Sequence, residues 1–201
     1  MDSKDLAATI MFAVLGFAFL ILIAQIPYLI TGVPGVGYVF NIFYNIIYSF
    51  SLLYYKGKRW LFLLQGIIFQ LLTLVVPGSY APTILVAKIP FLINVFILDV
   101  VFNSLYSFFR KNNNLVWWSI LGQVYFWTAQ PFLILLFFSL FVFIEGISTA
   151  WFIPIMSIML PIMIIEAIIG GYIGFRIYHR YEKAQREKGK LANKTSAQVN
   201  D

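Results

Sequence analysis

Two amides and an indole recur along one face of an apolar stretch: Gln123, Trp127 and Gln130, spaced i, i+4, i+7. That spacing lines them up on one side of a helix. Amides and indoles recognise by hydrogen bonding and stacking. Two uses fit them: a small-molecule pocket with a few placed polar groups among aromatics, or hydrogen bonding between helices. Pro131 follows directly, and a proline inside a helix frees a backbone carbonyl that something else must satisfy. Asn41 and Asn45, spaced i, i+4 with Tyr44 and Tyr48 nearby, form a second set of the same kind.

Charged residues inside apolar sequence are the other candidates, because a charge in hydrocarbon is costly and usually functional. Lys88 lies about 5 residues, roughly 8 Å, into its apolar run. It either snorkels to the near interface, or faces an outward-open cavity, where it binds an anion or pairs with Glu145. Asp99 returns to nearly the same helix face roughly 16 Å deeper, with Asn103 close to that stripe. Its expected partner is an Arg near the basic side or a subunit contact, unless it is a structural carboxylate. Glu166, just before "AIIGGYIG", is placed by helical rise at a depth similar to Asp99. Two carboxylates at one level can share a proton or each take a cation.

Other chemistries drop out. The chain has no cysteine, so disulfides, thiolate metal sites and cysteine nucleophiles are excluded. His179 is its single histidine, which rules out histidine-rich metal sites. There is no Ser–His arrangement and no phosphate-cradling Gly loop with its Lys. An enzyme is not expected, and neither is a cofactor.

The elements that must position these residues are membrane spans. The 201 residues are 61% hydrophobic and 11% charged, whereas soluble domains are about half apolar and a quarter charged. Of the 14 Lys and Arg residues only Lys88 lies within an apolar run away from its basic edge, Arg176 falling in the last turn of the sixth. The others cluster at Lys4, at Lys56, Lys58 and Arg59, at Arg110 and Lys111, and from Arg176 onward. The intervening connections have none. This is the positive-inside alternation. It predicts an all-α bundle of six spans with both termini in the cytoplasm: 6–26, 37–55, 60–76, 83–109, 115–143 and 151–178. The domain is 1–180, followed by a basic polar tail, 181–201, read as a frayed helix end running into a flexible segment. The net charge of +6 flanks spans and forms no basic domain, so lipid headgroups and not nucleic acid are the expected partners. Pro131, Pro154 and Pro161 are expected to kink or break their helices. Gly170, Gly171 and Gly174 form a small face on span six, and Thr9, Ala13 and Gly16 do so on span one; either can pack inside the bundle or against another subunit.

Several stretches carry a resemblance: a Pro/Gly-rich first outer loop, "PYLITGVPGVG"; a fourth span "LVAKIPFLINVFILDVVF"; and a Gly-rich close, "EAIIGGYIGFRIYHRYEK". Together with six spans in about 200 residues, they resemble the substrate-binding S components of energy-coupling factor (ECF) vitamin transporters. The resemblance implies a plasma-membrane protein of prokaryotic type that captures a small solute from outside. It further implies docking to a membrane coupling subunit with two ATPases through a small-residue face, here best matched by Thr9, Ala13 and Gly16. Lys88 would meet an anionic group of the solute, with Asn94, Gln123, Trp127, Gln130 and Glu145 as liners. A reading from another class stands beside it: a non-catalytic accessory subunit of a larger membrane complex, aromatic-rich and without a ligand.

Overall fold

The computed structural model describes residues 2–26, 30, 41–76, 82–141 and 149–198. Among them all regular structure is helical. Helix α1 runs over Ser3–Phe19 and continues as a π-helical stretch, Leu20–Gln25. Helices α2 (Ile42–Tyr55) and α3 (Leu61–Thr73) follow. Helix α4 is one rod in three parts: α-helical Pro82–Ile97, π-helical Leu98–Phe102 and α-helical Asn103–Lys111. Helix α5 is Leu115–Phe141 and α6 is Thr149–Gln198.

Four stretches are long and apolar enough to cross a membrane: Ser3–Ile23, Lys88–Lys111, Leu115–Phe137 and Ser157–Lys188. At roughly 1.5 Å per residue, α2 and α3 rise only about 20 Å, against about 30 Å of hydrocarbon. The distribution of polarity is that of a protein dissolved in lipid. Ile10, Met11, Val14, Leu22, Leu71, Phe132 and Ile165 are exposed, while Asn45, Ser49, Gln65, Asn94, Asp99, Ser119 and Gln123 are buried. Water would reverse this arrangement; hydrocarbon requires it, because polar groups there must be satisfied internally.

Helix α6 is the organising element and packs mainly on α5 and α2. Its glycines let it approach closely. A Cβ on Gly170 would fall 2.3 Å from the Asn45 Cβ, and one on Gly174 would fall 2.6 Å from the Ser49 Oγ. On the far side, α1 packs against α3 and α2. Thr9 and Ala13 are buried there, and Gly16 faces the Phe69 ring and Tyr48. Both small-residue faces therefore serve packing within the chain. Thr9, Ala13 and Gly16 lie under α2 and α3 and not on an outer surface that a coupling subunit could touch.

The basic segments meet at one end. Lys58 pairs with Asp5 at 2.7 Å, and Lys56 lies 3.8 Å from Glu182. The α2–α3 turn uses left-handed backbone at Lys56, Gly57 and Trp60. It seats on α4, where the Asn103 amide donates to the Lys58 carbonyl at 3.2 Å. The α4–α5 turn closes as a Schellman motif around left-handed Asn113. Asn114 N–H donates to the Phe109 carbonyl at 2.9 Å and Asn113 N–H to the Arg110 carbonyl at 3.2 Å.

Two expectations need correction. Of the kink or break expected at the prolines, the break does not occur: α5 runs on through Pro131, and α6 through Pro154 and Pro161. The segment after Tyr181, expected to fray, is helical as far as Gln198. Ala, Gln, Lys, Arg and Glu are good helix formers, and Glu182 and Arg186 form an i, i+4 pair at 3.2 Å.

The glycine contacts give a prediction. Gly170→Ala and Gly174→Ala lower the thermal midpoint in detergent despite the better helix propensity of Ala, by an overpacking cost of about 1–3 kcal/mol. Gly122→Ala, whose Cβ would have its nearest neighbour at 3.7 Å, does not lower it. Equal midpoints for all three would show that α6 does not pack this closely.

Candidate functional site

Helices α2, α5 and α6 share a contact built from three small residues. The hydroxyls of Ser49 and Ser119 lie against each other, and each is 3.0 Å from the Gly171 carbonyl. One turn farther from the basic end, the antiparallel register brings Asn45 on α2 to the level of Gln123 on α5. At the next turn Tyr44 meets Trp127, with ring centroids 6.3 Å apart. Amides and aromatics thus follow the seam upward.

Polar atoms along this seam are buried without partners. The Gln123 side chain is 0% exposed, and neither its Oε1 nor its Nε2 has a hydrogen-bond partner among the described residues. The same holds for the Trp127 indole N–H, Asn45 Oδ1, Asn41 Nδ2 and Glu166 Oε2. Each such group costs about 1–3 kcal/mol when left unpaired. Concentrating them in one layer is expensive unless something hydrogen-bonds there. Around Trp127 and Phe126 the walls are aromatic. Tyr44, Phe69 and Phe91 continue the cluster edge to face or stacked, and Tyr48 sets its ring against Phe126 at 5.6 Å. Flat apolar faces with hydrogen-bonding edges between them suit a flat solute with both donors and acceptors.

Asn94 and Gln130 join at the α4–α5 contact. The Asn94 amide donates to Gln130 Oε1 at 2.9 Å and to the Phe126 carbonyl at 2.8 Å, and its own Oδ1 has no partner among the described residues. Gln123, Trp127 and Gln130 share α5, and Asn94 reaches the Gln130 end of that face from α4. Asn94, half a turn from Lys88, faces α5.

Lys88 is not part of this layer. Its ammonium donates to Thr73 Oγ1 at 2.5 Å and lies 3.4 Å from Gln70 Oε1, tying α4 to the end of α3. Glu145, its other candidate partner, lies outside the described residues, as do most of the outer connections.

The two intramembrane carboxylates are far apart, against the expectation of one level. Asp99 lies at the basic end, where its Oδ2 accepts the Leu63 N–H at 2.9 Å and its Oδ1 accepts the Asn103 amide. It caps α3: that helix starts after left-handed Trp60, and Leu63 is among its first N–H groups, which have no intrahelical acceptor. Glu166 faces the Asn41 backbone N–H just before α2, whereas the Asp99 oxygens are taken by the start of α3 and by Asn103. They cannot share a proton. No metal-ligand cluster of His, Cys, Asp and Glu occurs among the described residues.

Two features escaped the spacing argument. The Asp99 cap depends on which helix start the α4 rod meets, and that contact is long-range. The Ser49–Ser119–Gly171 junction did have a signal. Ser49 extends the Asn41–Asn45 face by one turn, and Ser119 extends the Gln123 face.

Asp99→Ala leaves the Leu63 N–H and the Asn103 amide without their acceptor. It is expected to cost about 1–3 kcal/mol of stability, read as a lower thermal midpoint, with Asp99→Asn retaining more. An unchanged midpoint for Asp99→Ala would remove the cap assignment.

No protein-family model, curated protein or solved structure matches the chain, so what it does is to be judged from these contacts.

Proposed function

We propose that the chain is the solute-binding membrane subunit of a nutrient uptake system. In this reading it captures a small solute from outside and passes it inward with a separate ATP-driven coupling module, as the likeness to ECF S components implies. The observation that carries this is the buried Gln123 amide with neither end paired, beside the unpaired Trp127 N–H on the same helix face. A carbonyl-and-amine or carbonyl-and-hydroxyl edge on a flat ring satisfies all three atoms. Lys88 turns toward Thr73 and Gln70, so the layer brings no cation of its own to the solute. A neutral solute therefore fits it better than the anion expected from sequence.

The orientation follows from the basic end. Asp5–Lys58 and Lys56–Glu182 gather three basic segments, and Arg110 of the α4–α5 turn lines a groove with α6 there. The positive-inside tendency makes that end cytoplasmic. With α2 and α3 completed to full crossings, the protein has six spans with both termini inside, in the plasma membrane of a prokaryotic-type cell. A coupling subunit would have to dock somewhere other than on Thr9, Ala13 and Gly16, which are packed inside the chain.

A second reading, an accessory subunit of a larger membrane complex, draws on Lys88. That intramembrane cation already has its partners within the chain, as in a purely structural bundle.

Gln123→Met separates the two. In the transport reading it removes two unpaired buried polar atoms and raises the thermal midpoint of the solute-free protein. At the same time the small molecule that accompanies the chain out of native membranes, counted by mass spectrometry, falls about tenfold, the loss of roughly 1.4 kcal/mol. Trp127→Phe lowers the retained solute without lowering the midpoint. Wild-type protein that carries stoichiometric membrane subunits and no small molecule would establish the accessory reading instead.

A further inference from the structure

A second site lies at the basic end, apart from the polar layer and independent of the transport reading. The α4–α5 turn and the extended part of α6 enclose a half-open groove of about 310 Å³. Arg110, in the last turn of α4, lines one wall, and Arg186, two turns beyond Tyr178 on α6, lines the other. Left-handed Asn113 lines it as well. The buried Tyr106 and Tyr178 also line the groove. His179 joins the α6 wall, its ring stacked on Phe175 at 6.0 Å.

One carboxylate is present. Glu182 lies 3.2 Å from Arg186 and 3.8 Å from Lys56. Lys56 offsets it, so the groove keeps a positive balance from two guanidinium groups on facing walls. Guanidinium forks match oxyanions with several acceptor oxygens, and two of them from separate helices clamp such a group from both sides. The depth narrows the chemistry further. The groove sits where two membrane-crossing stretches, Lys88–Lys111 and Leu115–Phe137, end and begin. That is headgroup level, where phosphate is abundant.

We propose that the groove between Arg110 and Arg186 binds a phosphate group, supplied either by an anionic lipid headgroup or by a soluble phosphate compound. The guanidinium pair holds the phosphate oxygens, and Tyr106, Tyr178 and Asn113 offer further donors.

The test uses the full chain in two settings. In phosphatidylcholine nanodiscs containing a minor fraction of phosphatidylglycerol, native mass spectrometry counts the phosphatidylglycerol retained. In neutral detergent, inorganic phosphate is titrated against the thermal midpoint. Arg110→Gln and Arg186→Gln are each expected to weaken the responding probe about tenfold or more, as loss of a charge-assisted hydrogen bond does. Lys183→Gln removes the same charge from an exposed position on the same helix, outside the groove, and leaves binding nearly unchanged. Arg186 is 70% exposed, so its variant is not expected to fail in folding. A response to the lipid alone identifies the headgroup as the source; a response to inorganic phosphate identifies a soluble ligand. The proposal is overturned if neither probe binds the wild type, or if all three variants weaken binding equally, which is diffuse attraction.

Discussion

Everything in this bundle depends on how closely α6 can approach α2 and α5. In hydrocarbon there is no hydrophobic drive between helices, so association rests on close packing and on hydrogen bonds that shallow contacts make possible. Gly170, Gly171 and Gly174 supply the approach, and the Gly171 carbonyl with Ser49 and Ser119 supplies the bond. Once that junction is set, helical rise fixes the rest of the seam. Asn45 must face the Gln123 level, and Tyr44 must meet Trp127. A side chain at Gly170 would push α2 away and dissolve the polar layer above it, though none of the layer's own residues had changed.

The buried polar groups divide into two populations. Near the basic end most have partners, Gln65 Nε2 and Asn103 Oδ1 excepted. Asp99 caps α3, the Tyr55 hydroxyl donates to Gln65 at 2.9 Å, and the Trp118 indole donates to the Phe102 carbonyl at 2.8 Å, at the end of the π-helical stretch of α4. Away from that end, on α2 and α5, they go unpaired. Unpaired atoms occur at both levels, but Gln123, Trp127, Asn45 and Asn41 gather along one seam. On the transport proposal these amides are left for a solute, since a group that must pair with a ligand cannot also be locked to a neighbour.

Much of this could be read from the chain. The i, i+4, i+7 spacing of Gln123, Trp127 and Gln130 places them correctly because helical periodicity is local. The basic clusters find one end of the bundle because Lys and Arg report the membrane interface directly. What could not be read is what depends on rotation and on long-range partners. Lys88 turns toward α3 because Thr73 and Gln70 wait there, and nothing near Lys88 in the sequence says so. Asp99 and Glu166 were placed at one depth by counting residues within their own spans. Their partners, Leu63 and Asn41, belong to the starts of two different helices, α3 and α2. The inward turn of Thr9, Ala13 and Gly16 is of the same kind: small residues announce a close contact but not which helix makes it.

The position of Lys88 changes the character of the binding layer more than any other single contact. Had its ammonium faced Gln130, the site would have paired charge with charge, and an anionic solute would have been drawn in by Coulomb attraction in a medium of low dielectric. With Lys88 held by two neutral oxygens on α3, the layer offers an amide, an indole N–H and the Glu166 carboxylate. An anion placed there would lose its hydration and gain no opposite charge from the chain, a loss that hydrogen bonds alone do not repay. The positive charge gathers instead at the basic end, around Lys56, Lys58, Arg110 and Arg186. If both proposals hold, neutral recognition inside the bundle and anion recognition at its basic rim follow from one rule: charge sits where water or a counter-charge can reach it.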